Sequence, residues 1–334
     1  MLIRESLEKR EEEYLSPYAC HSVDSKGRDR AEEECDIRPV FQRDRDRILH
    51  SKSFRRLKDK TQVFLTPDGD HYRTRLTHTL EVSQNARTIA KALRLNEELV
   101  EAIALGHDLG HTPFGHAGER ALNNVCPLGF AHNIQSVRTV ELLEKGGQGL
   151  NLTVEVRNGI LHHQTKGSPA TLEGQVVRFS DKIAYIHHDM DDAIRGGILT
   201  QNDVPKEIGD VIGYNSAEWI DHFIHDIVSN SYEKDSIIMS EPVAEAMKKL
   251  REFMFERVYT NPKAKSEEKK AVLLVETLYD YFCKHRDILP DEMRMLLGRG
   301  EPLERVVCDH ISAMTDRYAI AKFEEIYVPA SWHG

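Results

Sequence analysis

Beyond residue 38 the apolar residues of this chain recur at a spacing near 3.6, and no strand-rich block interrupts them. A pattern of that period buries one stripe of each segment, so a core must be assembled from helices. We place a helix from Pro39 through Ile48, Phe54 and Leu57, then helices near 75 to 94, 97 to 108, 117 to 125, 133 to 144, 153 to 164 and 171 to 195. Further helices fall near 217 to 231, 242 to 259, 265 to 287 and 302 to 324. Gln62 to Leu65 reads as a short extended piece, and Pro67-Asp-Gly-Asp70 as a turn. The expected fold class is all-α.

One stretch concentrates chemistry. Between His107 and Glu119, thirteen positions hold His107, Asp108, His111, His116 and Glu119, separated by Gly110, Gly115 and Gly118. Asn96 is a fitting N-cap for the helix that leads into it, so His107 and Asp108 arrive at a helix end beside a glycine-broken loop. Adjacent residues on a helix lie about 100° apart, close enough for both to reach one ion off the side of the axis. Two ligands do not make a site, and a divalent cation needs more donors.

Two other helices supply them. His78 opens the helix that runs through Leu80, Val82, Ala86, Ile89 and Leu93. Asp181 stands in a segment whose Val177, Ile183, Ala184 and Ile186 form an apolar face, where a carboxylate is unusual unless paired or bound to metal. His78, His107, Asp108 and Asp181 would give two imidazoles and two carboxylates, with positions left for water and phosphate. Such a set suits Mn²⁺, Fe²⁺, Co²⁺, Ni²⁺ or Mg²⁺, and Mn²⁺ is the expectation. Arg75 lies three residues before His78, about 60° away on the same helical face, so an anion it holds could also touch that ion.

The order His, His-Asp, Asp resembles the HD phosphohydrolase superfamily, which is mostly helical. Asp46 to Val63, Gly106 to His116 and Ala313 to Ala319 narrow the resemblance to the deoxynucleoside triphosphate triphosphohydrolase family, whose namesake is bacterial dGTPase. The similarity spans roughly residues 38 to 330. It implies an HD-domain helical bundle with a helical C-terminal extension: a core over 39–200 and an extension over 201–334 packed on that core, while residues 1–38, a short charged helix and a polar stretch, read as an exposed, charged N-terminal arm. It also implies a metal-dependent enzyme that cleaves a dNTP, with dGTP as one preference, to deoxynucleoside and tripolyphosphate by water attack at the α-phosphorus.

The resemblance further assigns residues. His116 and Glu119 match the catalytic pair of the dGTPase branch, and His111 and His132 match histidines with catalytic or phosphate-contacting roles in the vertebrate SAM-and-HD-domain branch. Arg75, Lys182 and Tyr185 would line the triphosphate, and Gln62, Tyr185 and Asp189 the deoxyribose. Residues 43 to 60 hold eight Lys or Arg against three Asp in a chain of net charge -10, a basic island that suggests a specific anion site. Arg55 joins the substrate candidates on that ground; a solvated helix face is the competing reading. His187 and His188 read as packing or surface residues, and His162 and His163 are undecided.

Partners and setting follow. A dNTP is the expected substrate, a second dNTP an activator as in some relatives, and a homo-oligomer, hexamer or tetramer, the expected assembly. Single-stranded nucleic acid at a subunit groove is secondary, given the net charge. No run approaches membrane-spanning length, and five scattered cysteines without CxxC spacing suggest no disulfide framework, so the cytoplasm is the default setting. Two rivals stand: an HD phosphohydrolase acting on nucleoside monophosphates or guanosine polyphosphates, and a nucleotide-sensing or nucleic-acid-binding regulator that has lost turnover.

Overall fold

A computed structural model describes residues 2–62, 73–195, 197–259 and 262–329. Among them every extended regular element is helical; only isolated bridges, Arg28 with Thr153 and Thr61 with Thr74, are strand-like. Most of the expected extended piece and the whole Pro67 turn fall outside the described residues. The chain divides into two compact units that interleave along the sequence. One comprises Met1–His50, Thr77–His107 and Asn151–Asn261; the other comprises Ser51–Leu76, Asp108–Leu150 and Pro262–Gly334.

In the first unit, helix Glu97–Gly106 is the hub. It packs against Val40–Leu49, Val154–His162 and the long helix Leu172–Arg195. Its N-terminus is set as the sequence suggests, with the Asn96 side chain accepting a hydrogen bond from the backbone N–H of Leu99 at 3.2 Å. Seven of its ten residues are buried, Leu99, Val100 and Ile103 completely. Each such side chain contributes about 1.5–3 kcal/mol on leaving water. The helix comes so close to Val154–His162 that a Cβ at Gly159 would stand 2.4 Å from Cδ1 of Ile103.

The N-terminal residues dock on this unit where the sequence suggested an exposed arm. Helix Ile3–Tyr14 is followed by backbone pinned to buried carboxylates: Cys20 N donates to Glu173 at 2.9 Å, and Lys26 N to Glu155 at 2.7 Å. Arg28 pairs with the fully buried Asp44 and donates to the carbonyls of Asn151 at 2.6 Å and Val40 at 3.1 Å. The polar character that made this segment look solvated in the sequence is spent on these bonds.

In the second unit, Ala117, Ala121 and Leu122 of helix Gly115–Val125 share one core with Val275, Leu278 and Phe282 of Pro262–Lys284 and with Val307 and Ile311 of Leu303–Ser312. Buried acids organise its polar interior. Asp309 accepts from Gln135 at 2.8 Å and from two nitrogens of Arg138. Asp316 accepts from the backbone N–H of Thr61 and of Phe114, both at 3.0 Å, and from the Thr61 hydroxyl.

Several expected helices are broken. The helix from Pro39 ends at Leu49 and restarts at Lys52, because the Ser51 side chain caps the backbone of Phe54. Residues 302 to 324 form two helices, Leu303–Ser312 and Asp316–Tyr327, the second capped by Thr315. Helices Lys206–Ile212 and Asp291–Gly298 have too few apolar turns for the periodicity to show them. The Gly159 contact yields a test: Gly159→Val forces methyls into Ile103 and should lower unfolding free energy by about 1–3 kcal/mol in urea titrations. An unchanged midpoint would mean that the two helices can separate at no cost.

Candidate metal and proton-transfer centres

In the first unit three of the expected metal ligands meet. His78 lies in helix Arg75–Ala92, His107 forms the C-cap of Glu97–Gly106, and Asp181 comes from the middle of Leu172–Arg195. Asp181 Oδ1 stands 3.1 Å from His78 Nε2 and 3.7 Å from His107 Nε2. The imidazoles are 1% and 0% exposed, and the carboxylate is 25% exposed, so the cluster opens to one side.

The other nitrogens of these rings fix their chemistry. His107 Nδ1 lies 2.6 Å from the Ala104 carbonyl oxygen, which can only accept, so Nδ1 carries the proton and Nε2 of the neutral ring presents a lone pair. His78 Nδ1 lies 3.2 Å from His188 Nδ1, and His188 Nε2 contacts Glu81. This gives His78 a carboxylate-backed support of the kind that metal-ligating histidines use. His163 also joins, its ring 5.0 Å from that of His107 and its Nδ1 bonded to the Ile160 carbonyl at 2.7 Å. Two Nε2 lone pairs beside a carboxylate fit a borderline divalent ion, and Asp108 is the next residue in the chain after His107. Burial opposes charge on Asp181, but hydrogen bonding to His78 and the nearby His107 and His163 override it and hold its pKa well below the carboxylate range.

Nearby on the same long helix stand three of the expected substrate contacts. Lys182 is half-buried, and desolvation with Arg178 and Arg251 beside it pushes its pKa down to about 8. Tyr185 is half-buried, and Asp189, one turn on, is fully buried. Burial and Asp192 push the Asp189 carboxyl well above its ordinary pKa, against a hydrogen bond from Tyr185.

The second unit gathers His111, His116, Glu119 and His132, one donor atom from each lying within 4.8 Å of the others. Glu119 Oε1 accepts from the backbone N–H of His132 at 2.9 Å and faces His132 Nδ1 at 2.8 Å. Its Oε2 faces His116 Nδ1 at 3.0 Å. Both oxygens are engaged, which suits proton handling better than metal ligation. Burial raises the pKa of Glu119, but the bonds to His116 and His132 outweigh it and hold the group far below the carboxylate range. His132 moves the other way, raised by Glu119 against desolvation. His111 stacks on His132 with ring centroids 4.3 Å apart, and desolvation with Arg75 and His132 nearby pushes it well below the ordinary value.

The same unit holds the remaining candidates. Arg75 is 2% exposed, ion-paired to Asp108 and bonded to the Thr61 carbonyl at 3.3 Å. Gln62 is buried nearby, its carbonyl 3.5 Å from the Arg75 guanidinium. Arg55 is exposed on the short helix Lys52–Arg56. Glu81 carries no signal in the sequence; His188, which reads there as packing or surface, backs His78, His163 stands beside His107, and Asp316, within the Ala313 to Ala319 segment, anchors Phe114.

The paired shifts of Glu119 and His132 make a pH prediction. The lowered Glu119 contributes stability above its unfolded pKa, lost as pH falls through the folded value; the raised His132 contributes below its unfolded pKa, lost as pH rises through the folded value. Glu119→Gln should therefore destabilise most between about pH 4.3 and 6.5. It should also lower the His132 pKa in imidazole NMR titrations, and an unmoved His132 would show that another group holds its proton.

Comparison with known proteins identifies the family. Residues 75–186 match the HD domain family and residues 237–325 the phosphohydrolase-associated domain family. The chain is 56% identical to a deoxyguanosinetriphosphate triphosphohydrolase-like protein of Caldanaerobacter subterraneus subsp. tengcongensis, across 99% of this chain and 98% of that one. A protein of the same description from Clostridium tetani is 47% identical across 98% and 97% of the two chains. A phosphohydrolase from Bacteroides thetaiotaomicron VPI-5482 shares the fold, with a TM-score of 0.54 at 17% identity, covering 84% of this chain and 67% of that one. No helix among the described residues is long and apolar enough to cross a membrane. With its His and Asp pattern, its helical fold and full-length relatives in agreement, the chain belongs to the deoxyguanosinetriphosphate triphosphohydrolase-like family of HD-domain hydrolases.

Proposed function

We propose that the protein is a metal-dependent dNTP triphosphohydrolase, with dGTP the first substrate to test because the relatives' descriptions name it. The observation that carries this reading is the pair of Nε2 atoms facing Asp181, with His107 Nδ1 tied back to a carbonyl. His78, His107, Asp108 and Asp181 would hold the ion, for which Mn²⁺ is our choice. When bound, a divalent ion there makes water more acidic and offsets phosphate charge.

The residues of the chain do the rest. Lys182 and Arg75 neutralise the phosphates, and Tyr185, Gln62 and Asp189 receive the sugar. A tyrosine beneath the deoxyribose would leave little room for a 2′-hydroxyl. Water attacks the α-phosphorus, its oxygen joins the departing tripolyphosphate, and the bond from phosphorus to the 5′-oxygen breaks. His116, oriented through Nδ1 by Glu119, gives that 5′-oxygen its proton, and the nucleoside leaves. A homo-oligomer, hexameric or tetrameric, a second dNTP as activator, and single-stranded nucleic acid as a further partner are carried by family resemblance.

The test incubates metal-stripped protein with each dNTP and with GTP, with and without Mn²⁺, and resolves products by anion exchange. Mn²⁺-dependent release of deoxynucleoside and tripolyphosphate is expected. Monophosphate products, or none even from dNTP mixtures, would favour the phosphomonoesterase or sensor readings. His116→Ala should keep its metal content and lose roughly 10²-fold or more in turnover; full activity would remove His116 from the mechanism.

A further inference from the structure

The second unit contains a cavity that this chemistry does not use. It measures about 50 Å³, and its walls include Lys52, Arg56, Lys60 and Lys145 with Glu144 and Glu292. At about 10–15 Å³ per water, that is room for three to five waters or one tetrahedral oxyanion, and too little for a nucleoside.

The two carboxylates are already engaged. Glu292 pairs with Lys52 at 3.2 Å. Glu144 is buried, its Oε1 accepting from the Ser53 backbone at 2.7 Å and hydroxyl at 2.8 Å, its Oε2 from the Lys52 backbone at 3.2 Å. That leaves three cations unanswered, the exposed Lys145 and the less exposed Arg56 and Lys60. Lys60 is 2% exposed and gives Nζ to two neutral carbonyls, His111 at 2.5 Å and Ser312 at 2.7 Å. An ammonium has three protons, so one donor direction remains. Neither Lys60 nor Arg56 makes an ion pair among the described residues.

Two buried or half-buried cations facing one cavity repel each other, and burying a charge without a counter-ion is costly. The effect shows in Lys60, whose pKa desolvation, with Arg56 and Arg75 nearby, pushes down to about 7. At the mouth, Lys145 holds φ +53° next to Gly146 at +64°, a left-handed turn that a lysine rarely adopts.

We propose that this cavity binds a tetrahedral oxyanion, inorganic phosphate or the terminal group of a phosphate chain, between Lys60 Nζ and the Arg56 guanidinium. Arg56 offers the planar donor fork that recognises such an anion, Lys60 the remaining proton of a buried ammonium, and Lys145 a further charge at the mouth. Because Lys60 also holds the His111 carbonyl, the occupant shares its cation with the loop that carries the histidine cluster. The site stands apart from the functional reading above and does not depend on it.

The test is equilibrium dialysis of the full chain against labelled phosphate, in EDTA at constant ionic strength. Lys182→Ala removes a phosphate contact of the proposed reaction and should keep one phosphate per chain. Arg56→Met should lose that phosphate, weakening its binding about tenfold or more, as expected for a lost charge-assisted hydrogen bond, while circular dichroism shows an unchanged fold. Arg56→Lys should recover part of the affinity. The proposal is overturned if Arg56→Met binds phosphate with wild-type stoichiometry and affinity, or if Lys182→Ala binds none. Tripolyphosphate that displaces the label in Lys182→Ala identifies the end of a phosphate chain as occupant; failure to displace identifies the free ion.

Discussion

The turn at Phe114 and Gly115 sets where His116 and Glu119 stand. Both residues hold positive φ, +62° and +55°, and for phenylalanine that conformation costs about 1–2 kcal/mol. Asp316 makes it tenable by accepting the Phe114 N–H while its other oxygen anchors Thr61. Helix Gly115–Val125 therefore starts at a fixed point, and His116 and Glu119 share its first turn. Gly118 allows the chain to fold back so tightly, since a Cβ there would stand 2.1 Å from the Pro113 carbonyl oxygen. An aspartate from the C-terminal part of the chain thus governs a histidine two hundred residues earlier.

The two histidine clusters differ in which ring nitrogen meets the carboxylate. At Asp181 both imidazoles present Nε2, with Nδ1 of His107 bound to the Ala104 carbonyl and Nδ1 of His78 against His188. Rings held from behind in this way are ligands whose lone pairs are aimed outward. At Glu119 both imidazoles present Nδ1. A carboxylate that faces Nδ1 of His132 and also accepts its backbone N–H favours protonation of that ring, as the raised His132 pKa reflects. The same residue types thus fit the proposed metal site in one cluster and the proposed proton transfer in the other.

Much of this was legible in the sequence because the signals were local. Asn96 announces its helix, and His107 follows at a spacing that the cap determines. His78 and Asp181 lie on helices whose apolar stripes are long enough to fix which residues face inward. What escaped depends on contacts between distant positions. His188 supports His78 across 110 residues, and nothing in its neighbourhood separates that role from packing. Asp316 sits in a segment that reads as continuous helix until Thr315 caps a new one. The N-terminal arm looked solvated because its partners are revealed only by folding: Glu173 and Glu155 accept from its backbone N–H groups, and Asp44 pairs with Arg28.

Burial also separates the three candidate histidines of the proposed reaction. His111 is 1% exposed, its Nδ1 has no hydrogen-bond partner among the described residues, and Arg75 and His132 add positive charge beside it. Protonating it would add a charge to a site that already disfavours one, so it stays neutral and can accept but not readily donate. His132 Nδ1 faces Glu119 at 2.8 Å, and Glu119 raises its pKa against desolvation, so a proton there is held rather than released. His116 alone is open to solvent, its side chain 48% exposed, while Glu119 steadies it through Nδ1. A group that must release a proton and recover it from water each cycle needs that exposure. The geometry therefore favours His116 over its neighbours as the donor in the reaction we propose, with His132 keeping Glu119 ionised and His111 remaining an uncharged wall of the cluster.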